Sequence, residues 1–207
     1  MRSIDIWKKT YDTSPIEDGL PTWLVGDMGS SGAGSKGNLL EFKVNFINNF
    51  IEKNNIKSVL DFGHGDLDVA RYLLVKKYTG IDIFNPNLLD IPFGLNLINS
   101  KFDKYTDSGA DLVICLDVIY HILEEEQDYM RKSLDKMIEK SDRFFIMYAH
   151  DSTDIRFETE YNGHLYNSKW IQYLNKKDNL KLIYEQEQPE EGCSAKFYVY
   201  EIESEKL

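Results

Sequence analysis

Cysteine is scarce: Cys115 and Cys193 are the only two among 207 residues. They lie far apart and form no pattern with histidine, so neither a disulfide framework nor a metal finger is expected, and a reducing, cytoplasmic setting is the natural reading. Long apolar runs are missing too. Nowhere do about 18 apolar residues follow one another, and Met1-Arg2-Ser3-Ile4-Asp5 leads into charges, so no membrane span and no signal peptide are expected. Basic charge is also in deficit. Twenty-four Lys and Arg against 35 Asp and Glu leave a formal charge of −11, a field that repels nucleic-acid phosphates and anionic lipids. The basic doublets Lys8-Lys9, Lys76-Lys77 and Lys176-Lys177 read as solvated edges. No acidic or His/Cys cluster has metal-ligand spacing, so no metal is expected. Nothing repeats at a fixed period.

What is present is a sizeable apolar fraction, 42%, enough for one domain that buries roughly 70% of the surface of its unfolded chain. Residues 1–37 read as an irregular arm carrying Trp7, Tyr11 and Trp23 and ending in the Gly/Ser loop Gly29–Gly37. Residues 38–207 read as one domain. Leu39, Phe42, Phe46 and Phe50 recur at helical spacing, with Leu40, Val44, Ile47 and Ile51 beside them, which predicts an amphipathic helix ending at Asn54-Asn55. Ser58–Phe62 predicts a strand, followed by a glycine turn and by a helix carrying Leu67, Ala70, Leu73 and Leu74. Strands are predicted at Tyr78–Ile83, Pro92–Leu97 and Ala110–Leu116. A helix over about Glu124–Glu139 and a strand at Arg143–Ala149 come next. Strands alternating with helices mean a parallel sheet covered on both faces. The last two strands, Leu180–Glu187 and Lys196–Glu203, have no helix between them and predict an antiparallel hairpin.

A strand that runs into Gly63-His64-Gly65 is a ligand site by construction, because glycine lets the backbone approach a ligand closely. A dinucleotide fingerprint would carry a third glycine, but Asp68 stands in its place. Asp66 and Asp68 at a helix start would also repel a pyrophosphate. A cofactor without phosphates is implied, and a nicotinamide oxidoreductase is disfavoured. Asp61 could hold an ammonium group. Asp82, at the end of the second strand, could accept hydrogen bonds from both hydroxyls of a ribose. The competing reading is that Asp61 caps the helix start and Asp82 is a turn residue.

The segments Val59–Asp66, Thr79–Asp82 and Ala110–His121 together resemble, in order, the motifs of class I S-adenosylmethionine-dependent methyltransferases. The resemblance covers about residues 38–150. It implies a Rossmann-like three-layer α/β sandwich with a mostly parallel seven-stranded sheet closed by an antiparallel hairpin, and S-adenosyl-L-methionine as cofactor. By that resemblance Asp61, Gly63 and Gly65 contact the methionine part, Asp82 the ribose and Asn96 the adenine, Ile83 and Asp117 are further cofactor-binding residues, and the His64 imidazole either stacks on the cofactor or faces solvent. The short interval Phe84–Ile91 departs from the family pattern, as does His64, whose position is more often small or cysteine.

Methyl transfer needs alignment and a dry pocket, with a general base only where the acceptor must lose a proton. Candidates belong at the carboxyl ends of the strands: Asp117 and His121 after the fourth strand, His150 and Asp151 after the fifth. His150 beside Asp151 is the first candidate and His121 the second, because imidazole titrates near neutral pH. Each histidine also has a bland alternative as a capping, packing or exposed residue. The aromatic arm and the loop Arg156–Trp170, with Tyr161, His164 and Tyr166, are expected to close over the site. The expected reaction is methyl transfer to oxygen or nitrogen of a small polar acceptor, a carbohydrate or glycan precursor first, by a monomer or homodimer that binds neither nucleic acid nor membrane. The alternatives are a nucleic-acid or protein methyltransferase and a non-catalytic cofactor-binding module.

Overall fold

A computed structural model describes residues 35–83, 94–150, 169–189 and 194–203. The elements run in the order α1 (Gly37–Lys53), β1 (Ser58–Phe62), β2 (Lys77–Asp82), β3 (Leu95–Asn99), β4 (Ala110–Leu116), α2 (Gln127–Glu139), β5 (Ser141–His150), α3 (Trp170–Leu174), β6 (Leu180–Glu187) and β7 (Ala195–Ile202). All seven strands form one sheet in the order β3-β2-β1-β4-β5-β7-β6. The first five pair in parallel. β7 runs antiparallel between β5 and β6, so the expected closing hairpin is present.

Period-two alternation divides the core into two layers. On β4, Val113 and Cys115 face a cluster that contains Met130, Leu134 and Met137 of α2 and Trp170 of α3. Leu112, Ile114 and Leu116 face the opposite cluster, built with Ile47 and Ile51 of α1. The strands are therefore apolar on both faces, as a parallel sheet between helices requires. The aromatic side of α1 extends this layer, with Phe46 stacked on Phe197 at 3.9 Å between centroids and Phe50 edge-on to Phe144 at 5.1 Å.

One predicted element is not a regular helix. After the glycine turn, residues 63–76 make a chain of turns with a single 3₁₀ turn at Ala70–Tyr72. Leu67 adopts φ 68°, and Leu73 is already extended, so no helical run can propagate through either. Leu67 and Ala70 are nevertheless buried against the α1 layer. The apolar spacing picked out these two, but Leu73 is only half-buried and Leu74, on the same predicted face, is exposed; the backbone reaches the burial of Leu67 and Ala70 without a helix. Strand β3 also starts later than predicted, at Leu95, and extends to Asn99.

The strand order reverses between β1 and β4, where connections leave in opposite directions. A crevice must open there at the carboxyl ends, since no connection covers both strand ends.

Candidate functional site

That crevice is a cavity with about 890 Å³ of empty volume, its open mouth included. Its polar wall holds Asp61, His64 and Gly65 from the glycine turn, Asp82 from β2, and Asp117 and His121 after β4.

One face of β2 organises the turn. Tyr78, Gly80 and Asp82 alternate onto it, and each does a different task. Tyr78 Oη donates to Asp61 Oδ2 at 2.7 Å. Gly80 leaves room for His64: a Cβ there would stand 2.7 Å from His64 Cδ2. Asp82 Oδ2 accepts the Gly65 N–H at 3.0 Å. Gly63 completes the turn at φ 99°, where an added Cβ would overlap Val118 Cγ2, so the β1 and β4 loops touch only because this residue has no side chain.

Asp61 is buried, and its Oδ1 has no hydrogen-bond partner among the described residues. Burial pushes its carboxyl up to about 6, although the Tyr78 hydroxyl pulls the other way. Leaving a buried carboxylate oxygen unpaired costs on the order of 1–3 kcal/mol, more when the group is charged. A ligand with a cationic donor recovers that cost. The residues present therefore fit an ammonium group at Asp61.

Asp66 and Asp68 also border the cavity. They do not stand at a helix start, so the repulsion argument from helix polarity does not apply to them. Both pair with Lys36, at 3.2 Å for Asp66. Burial pulls the Lys36 ammonium down, but the two carboxylates outweigh it and hold its pKa above the ordinary value.

Asp117 is held at its N–H and at both carboxylate oxygens. Its N–H donates to the Tyr148 carbonyl at 2.9 Å, Oδ1 accepts from Tyr120 Oη at 2.7 Å, and Oδ2 pairs with Lys43. Lys43 is fully buried and lies 4.9 Å from the Tyr148 ring centroid. The Asp117 backbone sits at φ 57°, a left-handed conformation that aspartate tolerates better than most residues. With its contacts so arranged, Asp117 anchors the loop that carries Val118, His121 and Ile122 into the cavity.

The predicted site residues divide into three groups. Asp61, Gly63, His64, Gly65, Asp82, Ile83, Asp117 and His121 come together around the cavity. Asn96 does not. It lies in the first half of β3, in register with Thr79 and 3.4 Å from its hydroxyl, whereas the cavity opens beyond the far end of that strand, where Asn99 pairs with Asp82. The late start of β3 accounts for the displacement. His150 is likewise not among the lining residues: its Nδ1 is 2.9 Å from Ser194 Oγ, and the Tyr120 ring packs against both it and His121, at 4.7 and 4.3 Å between centroids. Asp151, the arm with Trp7, Tyr11 and Trp23, Cys193, and the loop with Tyr161, His164 and Tyr166 lie outside the described residues. Among the described residues no three His, Cys, Asp or Glu side chains are grouped to hold a metal ion, and no helix is long and apolar enough to cross a membrane.

Lys43 and Tyr78 went unrecognised in the sequence. A signal for Lys43 existed, since it shares the buried α1 stripe with Ile47 and Ile51, where a lone lysine calls for a buried partner. For Tyr78 no local signal existed, because its role depends on the register that sets Gly80 beside Asp61. Phe102 and Ile122, apolar parts of the cavity wall, were equally silent.

No protein-family model and no curated protein sequence matches the chain. Solved structures do. An N-methyltransferase, NodS, from Bradyrhizobium japonicum WM9 in complex with S-adenosyl-L-homocysteine aligns over 98% of this chain and 99% of its own, at TM-score 0.62 and 12% identity. Magnesium protoporphyrin IX methyltransferase from Synechocystis PCC 6803 with bound SAH aligns over 96% and 93%, at 0.59 and 13%. The methyltransferase domain of a bacterial Hen1 aligns over 80% and 100%, at 0.62 and 16%. At such identities the likeness establishes the fold, which is that of the class I S-adenosylmethionine-dependent methyltransferases.

Proposed function

We propose that this chain, having the class I methyltransferase fold, binds S-adenosyl-L-methionine in the β1/β4 crevice and transfers its methyl group to oxygen or nitrogen of a small polar acceptor. The observation that carries the reading is the buried carboxylate of Asp61, a residue of the cavity wall whose Oδ1 lacks a partner among the described residues. Asp61 would accept the ammonium of the methionine part. Asp82, oriented by the Gly65 N–H, would accept the ribose hydroxyls. Phe102, Val118 and Ile122 offer an apolar wall to the base. When bound, the cofactor supplies a sulfonium methyl group open to in-line displacement. The protein's own contribution is alignment and exclusion of water.

His121 is the residue proposed to take the acceptor's proton, because it borders the cavity. His150, which packs against the same Tyr120 ring as His121, is proposed to act with it, and Asp151, next in sequence, as its carboxylate partner. A small acceptor, with sugars and glycan precursors first, is supported by the carboxylates around the cavity and the formal charge of −11, which disfavour polyanionic acceptors.

The test is release of S-adenosylhomocysteine during incubation with a panel of sugars, amines and hydroxy acids. Turnover with one member of the panel is expected. His121→Ala should lower it by about 100-fold, in the range of general-base catalysis, while affinity for S-adenosylhomocysteine is kept. Undiminished turnover by a folded His121→Ala would remove His121 from the chemistry.

A further inference from the structure

The two oxygens of Asp61 have different fates. Oδ2 accepts the Tyr78 hydroxyl at 2.7 Å, while Oδ1 is buried and has no partner among the described residues, on a side chain that lines the cavity. Without Tyr78, rotation of the carboxylate would exchange the two, and a ligand would meet either. Tyr78 is well placed to prevent this, being 2% exposed and packed in the α1 layer of the core.

We propose that Tyr78 is a positioning residue for the cofactor's amino group: it occupies Asp61 Oδ2 so that Oδ1 alone is presented to the ligand cation. The proposal rests on the cavity taking S-adenosylmethionine. Tyr78 also bears on the charge of the site. Burial and the nearby Asp82 oppose ionisation of Asp61, whereas the Tyr78 hydrogen bond and His64 favour it. Cys115 of β4 lies on the other face of the sheet, where burial, with the charges of Asp61 and Asp117 adding to it, keeps its thiol protonated. Of these groups Tyr78 makes the direct hydrogen bond, and that bond favours the charged form the ligand needs.

The experiment measures affinity for S-adenosylhomocysteine and for its desamino analogue, in wild type and Tyr78→Phe, between pH 5 and 8. Wild type should prefer the amino ligand and lose that preference as pH falls through about 6. In Tyr78→Phe the midpoint should move to higher pH, with the preference at pH 7 reduced by about tenfold, the value of one hydrogen bond to a charged group. The desamino analogue should bind both proteins alike. Equal weakening of both ligands, or an unmoved midpoint, would show that Tyr78 is merely structural. Should the phenylalanine variant not fold, 3-fluorotyrosine at position 78, a stronger donor, should move the midpoint to lower pH, and an unchanged midpoint would overturn the proposal. Binding of neither ligand by wild type would instead strike down the reading of the cavity itself, and this inference with it.

Discussion

At the scale of single residues, Asp61 sets function against stability. Its carboxyl titrates near 6 in the folded chain against an ordinary value of 3.8. The folded state therefore holds this proton more tightly than the unfolded one. Stability from the group is complete below about pH 3.8 and is lost as pH rises through 6. Asp61→Asn removes that loss. Thermal and denaturant unfolding of the ligand-free protein at pH 7 should show the variant more stable than wild type by about 1–3 kcal/mol, with the gain vanishing near pH 4. The same variant should bind S-adenosylhomocysteine far more weakly. A destabilised Asp61→Asn would mean that the buried carboxylate is satisfied in the free protein, contrary to its unpartnered Oδ1.

At the scale of elements, α1 and the β4 loop are joined by Lys43 and Asp117. A buried ion pair is weak evidence for net stability, because desolvation offsets the attraction, but removing one partner is costly. Lys43→Met leaves Asp117 without its cation, so denaturant unfolding should show a loss on the order of 3 kcal/mol. The double variant Lys43→Met with Asp117→Asn should recover part of it. Additive losses in the double variant would show that the two residues do not act as a pair. Leu67 and Ala70 were readable as buried residues because burial follows spacing, but spacing alone does not reveal the positive φ at Leu67 that forbids a helix. Asn96 stands in the first half of β3 and not at its end for a related reason: apolar content gives a third strand near the right place but not its end to within one or two residues.

At the scale of the whole molecule, the centre of the sheet is legible because its strands are short apolar runs bounded by turns, and Ala110–Leu116 matches its predicted bounds to the residue. The topology follows from alternation of strands with helical segments, and the crevice follows from the topology. The polar contacts inside the crevice follow from neither. Tyr78 reaches Asp61, His64 packs over Gly80, and Lys43 meets Asp117 only through register and packing between segments distant in sequence. These contacts arrange carboxylates around one cavity, with lysines satisfying Asp66, Asp68 and Asp117 while Asp61 keeps an unpaired oxygen. The ligand proposed for this site is a compact cation that also carries a ribose. The most direct measurement is calorimetric titration of the purified protein with S-adenosylmethionine and S-adenosylhomocysteine, repeated with Asp82→Ala. Micromolar binding by wild type, weakened about 10- to 100-fold in the variant through loss of charged hydrogen bonds to the ribose, is the expected result, and no binding by the folded wild-type protein would contradict the assignment and leave the fold alone.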